Sequence, residues 1–220
     1  MRVIVTRAAG QEEPLASRVR ELGHEVVICP LVRVEPVGPD RVELEVYDWL
    51  LVTSANAARE LAHRASGRPG RTAAIGPGTA DALLDAGFRV DLVPAVSTQE
   101  GLLAELPRPP GRVLFAGAVG ARRLLADELE ADFVPLYRTV ELRPEVPPGG
   151  DVAVLASPSA ARAFAALALG VPAVVIGPET ARAARAAGLR IAAEATTHDL
   201  DGLVTAIASV VNLPSCSSPS

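Results

Sequence analysis

The sequence predicts an α/β protein of two similar lobes, each built on a parallel sheet. Three observations predict it. Short apolar runs alternate with Ala-, Leu- and Arg-rich stretches of helical period. The runs are continuously apolar, as strands covered on both faces are. One segment, 74–88, recurs at 175–189.

Taken in order, the candidate strands are Arg2–Thr6, Glu25–Cys29, Trp49–Thr53, Thr72–Ile75, Val90–Val93, Arg112–Phe115, Phe133–Leu136, Val152–Ala156, Ala173–Ile176 and Arg190–Ala192. Helices between them are marked by cap chemistry. Ser97-Thr98-Gln99-Glu100 has the form of a capping box ahead of Leu102 and Leu103. Ser157-Pro158 sets a cap residue before a first-turn proline. Gly23, Gly87 and Gly188 stand where left-handed C-terminal caps belong.

Composition narrows the chemistry. Apolar residues make up 49% and aromatics 3%, so the core is built from Val, Leu, Ile and Ala. All 21 basic residues are arginine, which excludes a Schiff-base lysine, pyridoxal-phosphate chemistry and the lysine-dependent phosphate loop. His24, His63 and His198 lie far apart, and Cys29 and Cys216 share no ligand spacing, so no metal site is expected. A net charge of −5 argues against a nucleic-acid partner. No targeting sequence or membrane-spanning run is found, which makes the cytoplasm the expected location.

The repeat matches at eight of fifteen positions, among them Ile75/Ile176, Gly76/Gly177, Pro77/Pro178 and Thr79/Thr180. Thr53-Ser54-Ala55-Asn56-Ala57 faces Ala156-Ser157-Pro158-Ser159-Ala160, and Gly101-Leu102 faces Gly202-Leu203. A fainter echo relates Cys29-Pro30-Leu31 to Val134-Pro135-Leu136.

One division of the lobes is tandem, near Pro107–Pro110. The other uses two matching exits, Val32–Pro36 and Tyr137–Glu141, each leaving a Pro-Leu step and running into Pro/Gly-rich sequence. The shared pattern favours the second. Lobe 1 is then 1–32 plus 142–212, lobe 2 is 37–136, and 33–36 with 137–141 form a two-stranded linker, leaving 213–220 as a disordered tail.

Small or hydroxylic residues follow four strands: Thr53-Ser54, Gly76-Pro77-Gly78-Thr79, Ser157-Pro158-Ser159 and Gly177-Pro178-Glu179-Thr180. In open parallel sheets ligands bind outside the carboxyl ends of the strands, where helix N-terminal amides attract anions. Two lobes turning such ends toward each other would line a cleft with donors. Simple helix capping is the competing reading of any one junction. Arg7, Arg122 and Arg138 stand near strand ends and could meet carboxylates. Gly117-Ala-Val-Gly120 lacks the third glycine of a dinucleotide turn. Tyr137 falls in the linker, where its phenol could donate a proton or cover a hinge. His198 reads as a solvated surface histidine.

The ordered set Val5-Thr6-Arg7, Leu51–Ala57, Ile75–Ala80, Leu136-Tyr137-Arg138-Thr139, Ser157–Ala160 and Ile176–Ala181 resembles the uroporphyrinogen-III synthase family over almost the whole chain. The resemblance implies two flavodoxin-like lobes joined by a two-stranded linker. It also implies a cofactor-independent lyase that closes the linear tetrapyrrole hydroxymethylbilane with loss of water and inversion of the last ring. On this resemblance Tyr137 assists hydroxyl loss. Thr53, Ser54, Gly76, Thr79, Arg122, Ser157, Ser159, Gly177, Thr180 and Arg7 bind substrate, with no metal, and the protein acts as a monomer. One departure stands out: many members carry Arg-Gly after the strand at 112–115, where this chain reads Ala116-Gly117. Arg122 is the candidate replacement. A non-catalytic ligand-sensing module on the same scaffold is the alternative.

Overall fold

The computed structural model describes residues 1–211, so the tail at 213–220 and the end of lobe 1 at 212 lie outside the described residues. In chain order the elements are β1 (Arg2–Val5), α1 (Glu13–Glu21), β2 (Glu25–Ile28), β3 (Val32–Pro36), β4 (Val42–Glu43), β5 (Trp49–Val52), α2 (Ala55–Arg64), β6 (Ala65–Ser66), β7 (Arg71–Ala74) and α3 (Pro77–Asp85). They continue with α4 (Gln99–Glu105), β8 (Val113–Ala118), α5 (Leu124–Leu129), β9 (Asp132–Glu141), β10 (Val152–Leu155), α6 (Pro158–Ala165), β11 (Ala173–Val175), α7 (Pro178–Ala186), β12 (Ile191–Glu194) and α8 (Leu200–Val211). The described chain separates into two compact units: Met1–Arg33 with the described residues from Glu141 on, and Val34–Val140. It leaves the first unit within β3 and returns within β9.

The first unit holds a sheet of order β12-β11-β10-β1-β2, in which every neighbouring pair is parallel. Alternate residues of its strands enter different cores. Ile4, Ala153, Leu155, Ala173 and Val175 pack under α6 and α7, while Val3, Val5, Val152, Val154 and Val174 pack under α1 and α8. Both faces are therefore covered, which is why the strands read as unbroken apolar runs.

The second unit holds a sheet of order β3-β9-β8-β5-β7, with β9, β8, β5 and β7 mutually parallel. Val37 N donates to Leu136 O, and Leu142 N to Leu31 O, so numbers rise on β3 as they fall on β9 and that pair is antiparallel. Leu50, Val52, Ala74, Leu114 and Ala116 pack under α2 and α3, and Trp49, Leu51, Ala73, Val113 and Phe115 under α4 and α5.

The expected strand at 90–93 shrinks to one parallel bridge, Leu92 with Ala73. Asp91 explains part of this: its carboxylate accepts from Thr72 N at 2.9 Å, taking a donor that a longer ladder would use. Counting that bridge, the sequences β5, β7, Leu92, β8, β9 and β10, β11, β12, β1, β2 occupy the same places in their sheets. The repeat seen in the sequence is thus a repeat of topology, with the first unit begun at β10.

Caps repeat as well. Ser54 Oγ accepts from Ala57 N and Ser157 Oγ from Ala160 N, both at 3.1 Å. The helix expected to be capped at Ser97 is capped one residue later, by Thr98 Oγ1 on Gly101 N at 3.0 Å. Its third helical position is then a glycine, and Glu100 cannot close a capping box. Asp199 caps α8 in the same register, through Gly202 N at 2.7 Å. Gly23, Gly87 and Gly188 have φ of +80°, +77° and +78° and end their helices as left-handed caps.

Candidate active site

In each sheet the winding direction reverses between two central strands, β5 and β8 in one unit and β10 and β1 in the other. Crevices outside the carboxyl ends of such strands are where open α/β sheets bind ligands. Because the strands are parallel, their carboxyl ends share one edge, and the candidate residues fall along it.

In the second unit Thr53 and Ser54 follow β5, Gly76 and Thr79 follow β7, and Arg122 lies in the loop after β8. Tyr137 lies within β9, and a β-bulge aims it. Gly117 of β8 pairs with Pro135, but Ala118 pairs with Tyr137, so Leu136 is an extra residue. Leu136 and Tyr137, adjacent in sequence, consequently both enter the core under α2 and α3. Without the bulge Tyr137 would lie on the side of Phe133, in the other core.

There its hydroxyl donates to Ser54 Oγ at 2.9 Å, with the residue only 7% exposed. Burial raises the phenol above its ordinary pKa, against opposing hydrogen bonds from the Ser54 and Asn56 side chains. A raised value keeps the phenol protonated and makes it a hydrogen-bond donor. Ser54 Oγ already accepts twice, from Ala57 N and from Tyr137, so its own proton is left to donate. Thr79 is 7% exposed, in the first turn of a helix whose Gly76 cap supplies no side chain. Arg122 is engaged by Glu100 at 2.6 Å, and its carbonyl accepts from Gln99 Nε2 at 3.0 Å. Ala116 sits buried in β8, the place where an arginine was missed.

In the first unit Arg7 follows β1, half-buried, while Ser157 and Ser159 open α6 and Gly177 and Thr180 open α7. Thr6 beside Arg7 is fully buried and donates to Val154 O of β10 at 2.7 Å, tying the two central strands together. Thr180 is 2% exposed.

One contact has no counterpart in the sequence reading. His198, expected as a solvated side chain, is partly buried against Gly177: a Cβ built on that glycine would come within 2.6 Å of His198 Cδ2. The repeat carries the missing signal, because Ser97 stands at the matching position and lies against Gly76 in the same way: a Cβ built on Gly76 would fall 2.7 Å from Ser97 Oγ. Among the described residues no cluster of His, Cys, Asp or Glu could hold a metal ion, and no helix is long and apolar enough to cross a membrane.

A family model described as uroporphyrinogen-III synthase HemD matches residues 13–205. A uroporphyrinogen-III synthase of Synechococcus elongatus is 26% identical, with 93% of each chain covered. A chloroplastic uroporphyrinogen-III synthase of Oryza sativa subsp. japonica is 30% identical over 93% of this chain and 79% of its own. Among solved structures, a mutant uroporphyrinogen III synthase of Thermus thermophilus superposes with a TM-score of 0.62 at 20% identity, covering 96% of this chain and 98% of that one, which supports the α/β fold.

Proposed function

We propose, from the premise that this chain belongs to the uroporphyrinogen-III synthase family, that the strand-end residues described above perform that family's reaction. The enzyme cyclises hydroxymethylbilane to uroporphyrinogen III, a lyase reaction of tetrapyrrole biosynthesis. The match of the family model to residues 13–205 carries this conclusion. A ligand-sensing module on the same scaffold is not what the relatives are.

The substrate's terminal hydroxyl leaves as water after taking up one proton, and the electron-rich pyrrole is left as an azafulvene-like cation. The α-carbon of the last pyrrole that already carries the bridge bonds to the cationic carbon. The old bridge bond then breaks, leaving an azafulvene-like cation on the third ring, and the free α-carbon of the now inverted pyrrole bonds to it and releases one proton. No net proton is consumed, so the protein's task is to steady the departing hydroxyl and hold the chain in the geometry for closure. We assign the first task to Tyr137. Its neutral phenol swings its proton from Ser54 Oγ to the leaving oxygen, and the free Ser54 proton then supports the phenol oxygen.

Eight carboxylates on a substrate bound by a protein of net charge −5 require local donors. Thr53, Ser54, Gly76, Thr79 and Arg122 supply them in one unit, and Arg7, Ser157, Ser159, Gly177 and Thr180 in the other, through hydroxyls, guanidinium groups and first-turn amides. Arg122 must exchange Glu100 for substrate, so its contribution is smaller than that of an arginine in place of Ala116. We read the enzyme as a cytoplasmic monomer with neither cofactor nor nucleic acid. Freshly prepared hydroxymethylbilane tests the activity: a synthase gives mainly the type III isomer, while a protein that leaves only the type I product of unassisted closure overturns the assignment.

A further inference from the structure

His198 lies closely against Gly177. Gly177 has an extended backbone, φ 169°, that any residue adopts, so its glycine is not there for conformational freedom. Space demands it: an added Cβ would meet His198 Cδ2 at 2.6 Å and Nε2 at 3.0 Å. The imidazole therefore rests edge-on against the backbone that opens α7, the helix carrying buried Thr180.

Its position is tightly held. Thr197 Oγ1 donates to Asp199 Oδ1 at 2.9 Å, and Asp199 caps α8. Gly202 lets the chain fold back so closely that a Cβ there would lie 2.0 Å from Thr197 O. The same construction appears in the other unit, with Thr98 as cap, Gly101 so close to the preceding turn that a Cβ there would lie 2.1 Å from Val96 O, and Ser97 against Gly76. Two copies of one device thus place a polar side chain over a glycine at the mouth of a helix. One copy offers a hydroxyl and the other an imidazole.

We infer that His198 is a substrate-binding residue, its imidazole N–H donating to a tetrapyrrole carboxylate seated at the start of α7, with Ser97 as its neutral counterpart at α3. This rests on the synthase reading, and adds to it a side chain that makes the two half-sites chemically unequal. A hydrogen bond to a charged group is among the stronger ones a side chain can supply, and its loss is read as a rise in KM.

The test compares His198→Ala and His198→Ser in the full-length enzyme with freshly made hydroxymethylbilane. His198→Ala is expected to raise KM about tenfold, with kcat and the type III fraction within about twofold of wild type. His198→Ser, which copies the other unit, recovers part of the loss. Gly177→Ala, whose Cβ displaces the imidazole, raises KM without adding to the effect of His198→Ala when combined with it. Independently, the three imidazole NMR signals are followed while uroporphyrin III, an octacarboxylate, is added; that of His198 shifts and those of His24 and His63 stay. An unchanged KM in folded His198→Ala, or an unmoved His198 signal at saturating uroporphyrin, overturns the inference. A wild type yielding only the type I isomer defeats the synthase reading instead, and the imidazole signal still decides whether a polycarboxylate reaches His198.

Discussion

Tyr137 Oη donates to Ser54 Oγ at 2.9 Å, and that same oxygen caps α2 through the Ala57 amide at 3.1 Å. A helix cap and the candidate acid are therefore one hydrogen-bonded unit. The repeat does not copy it. The echo that pairs Cys29-Pro30-Leu31 with Val134-Pro135-Leu136 sets Val32 where Tyr137 stands, and Val32 is buried and apolar. Among the described residues the first unit therefore carries no copy of this tyrosine–serine pair.

Tyr137→Phe keeps the ring in the core and deletes the donor. Turnover should fall on the order of tenfold to a hundredfold, as for removal of general-acid assistance, with the fold retained at a cost of about 1 kcal/mol for the lost hydrogen bond. Steady-state kinetics alongside thermal unfolding decide this, and unchanged kcat removes Tyr137 from the mechanism.

Ser54→Ala and Ser157→Ala form a matched pair. Each deletes an N-cap with the same 3.1 Å geometry, worth about 1 kcal/mol. Only Ser54→Ala also removes one of the two side-chain partners of a buried phenol, adding about 1 kcal/mol. Denaturant unfolding should therefore rank Ser54→Ala as the more damaging. Equal losses would mean that the other partner, Asn56, satisfies the phenol by itself.

Gly202→Ala and Gly101→Ala should each destabilise by about 2–3 kcal/mol, the cost of forcing atoms into a closed space. Their Cβ atoms would fall 2.0 Å from Thr197 O and 2.1 Å from Val96 O. Backbone has to move, and the caps at Asp199 and Thr98 move with it. A melting temperature within a degree of wild type would show that these turns relax freely.

Much of this was legible in the sequence, and the remainder was hidden for identifiable reasons. Continuous apolar runs predicted the covered parallel sheets because each strand feeds two cores, as Leu50 and Leu51 do on opposite faces. Gly76, Gly177 and the residues after them were found through the repeat. Leu136 was not recognisable as a bulge, since register depends on the partner strand and not on local composition. The strand at 90–93 failed because Asp91 turns its carboxylate onto the neighbouring backbone. The contact of His198 with Gly177 was not legible, because a lone histidine in a polar turn carries no packing signal and the space left by Gly177 exists only in three dimensions.

Alkaline pH offers a separate check on the two phenols. Tyr137 and Tyr47 are both raised above 10.0, chiefly by desolvation. Above that pH the unfolded chain loses its phenol protons before the folded one does. Their stabilising contribution is thus complete below pH about 10 and declines as pH rises through the folded values. Tyr137→Phe should flatten part of that decline in unfolding free energy. In wild type, kcat should show no falling limb from this residue between pH 7 and pH about 10, because the phenol keeps its proton throughout. A loss of activity near pH 8 that disappears in Tyr137→Phe would contradict the raised value.

Thr79 and Thr180 separate binding from folding most directly. Both lie in the first turn of a glycine-capped helix, 7% and 2% exposed. Valine keeps the side chain's shape and puts a methyl in place of the hydroxyl, so a hydroxyl that serves substrate rather than the fold should leave stability within about 1 kcal/mol of wild type. If these hydroxyls were structural, the same change would destabilise. If they serve substrate, KM rises several-fold in each variant while the melting temperature holds, and the double variant exceeds either alone. A stability gain with no change in KM would leave both threonines without a role in binding, and would confine the anion contacts to the backbone amides of the first turn.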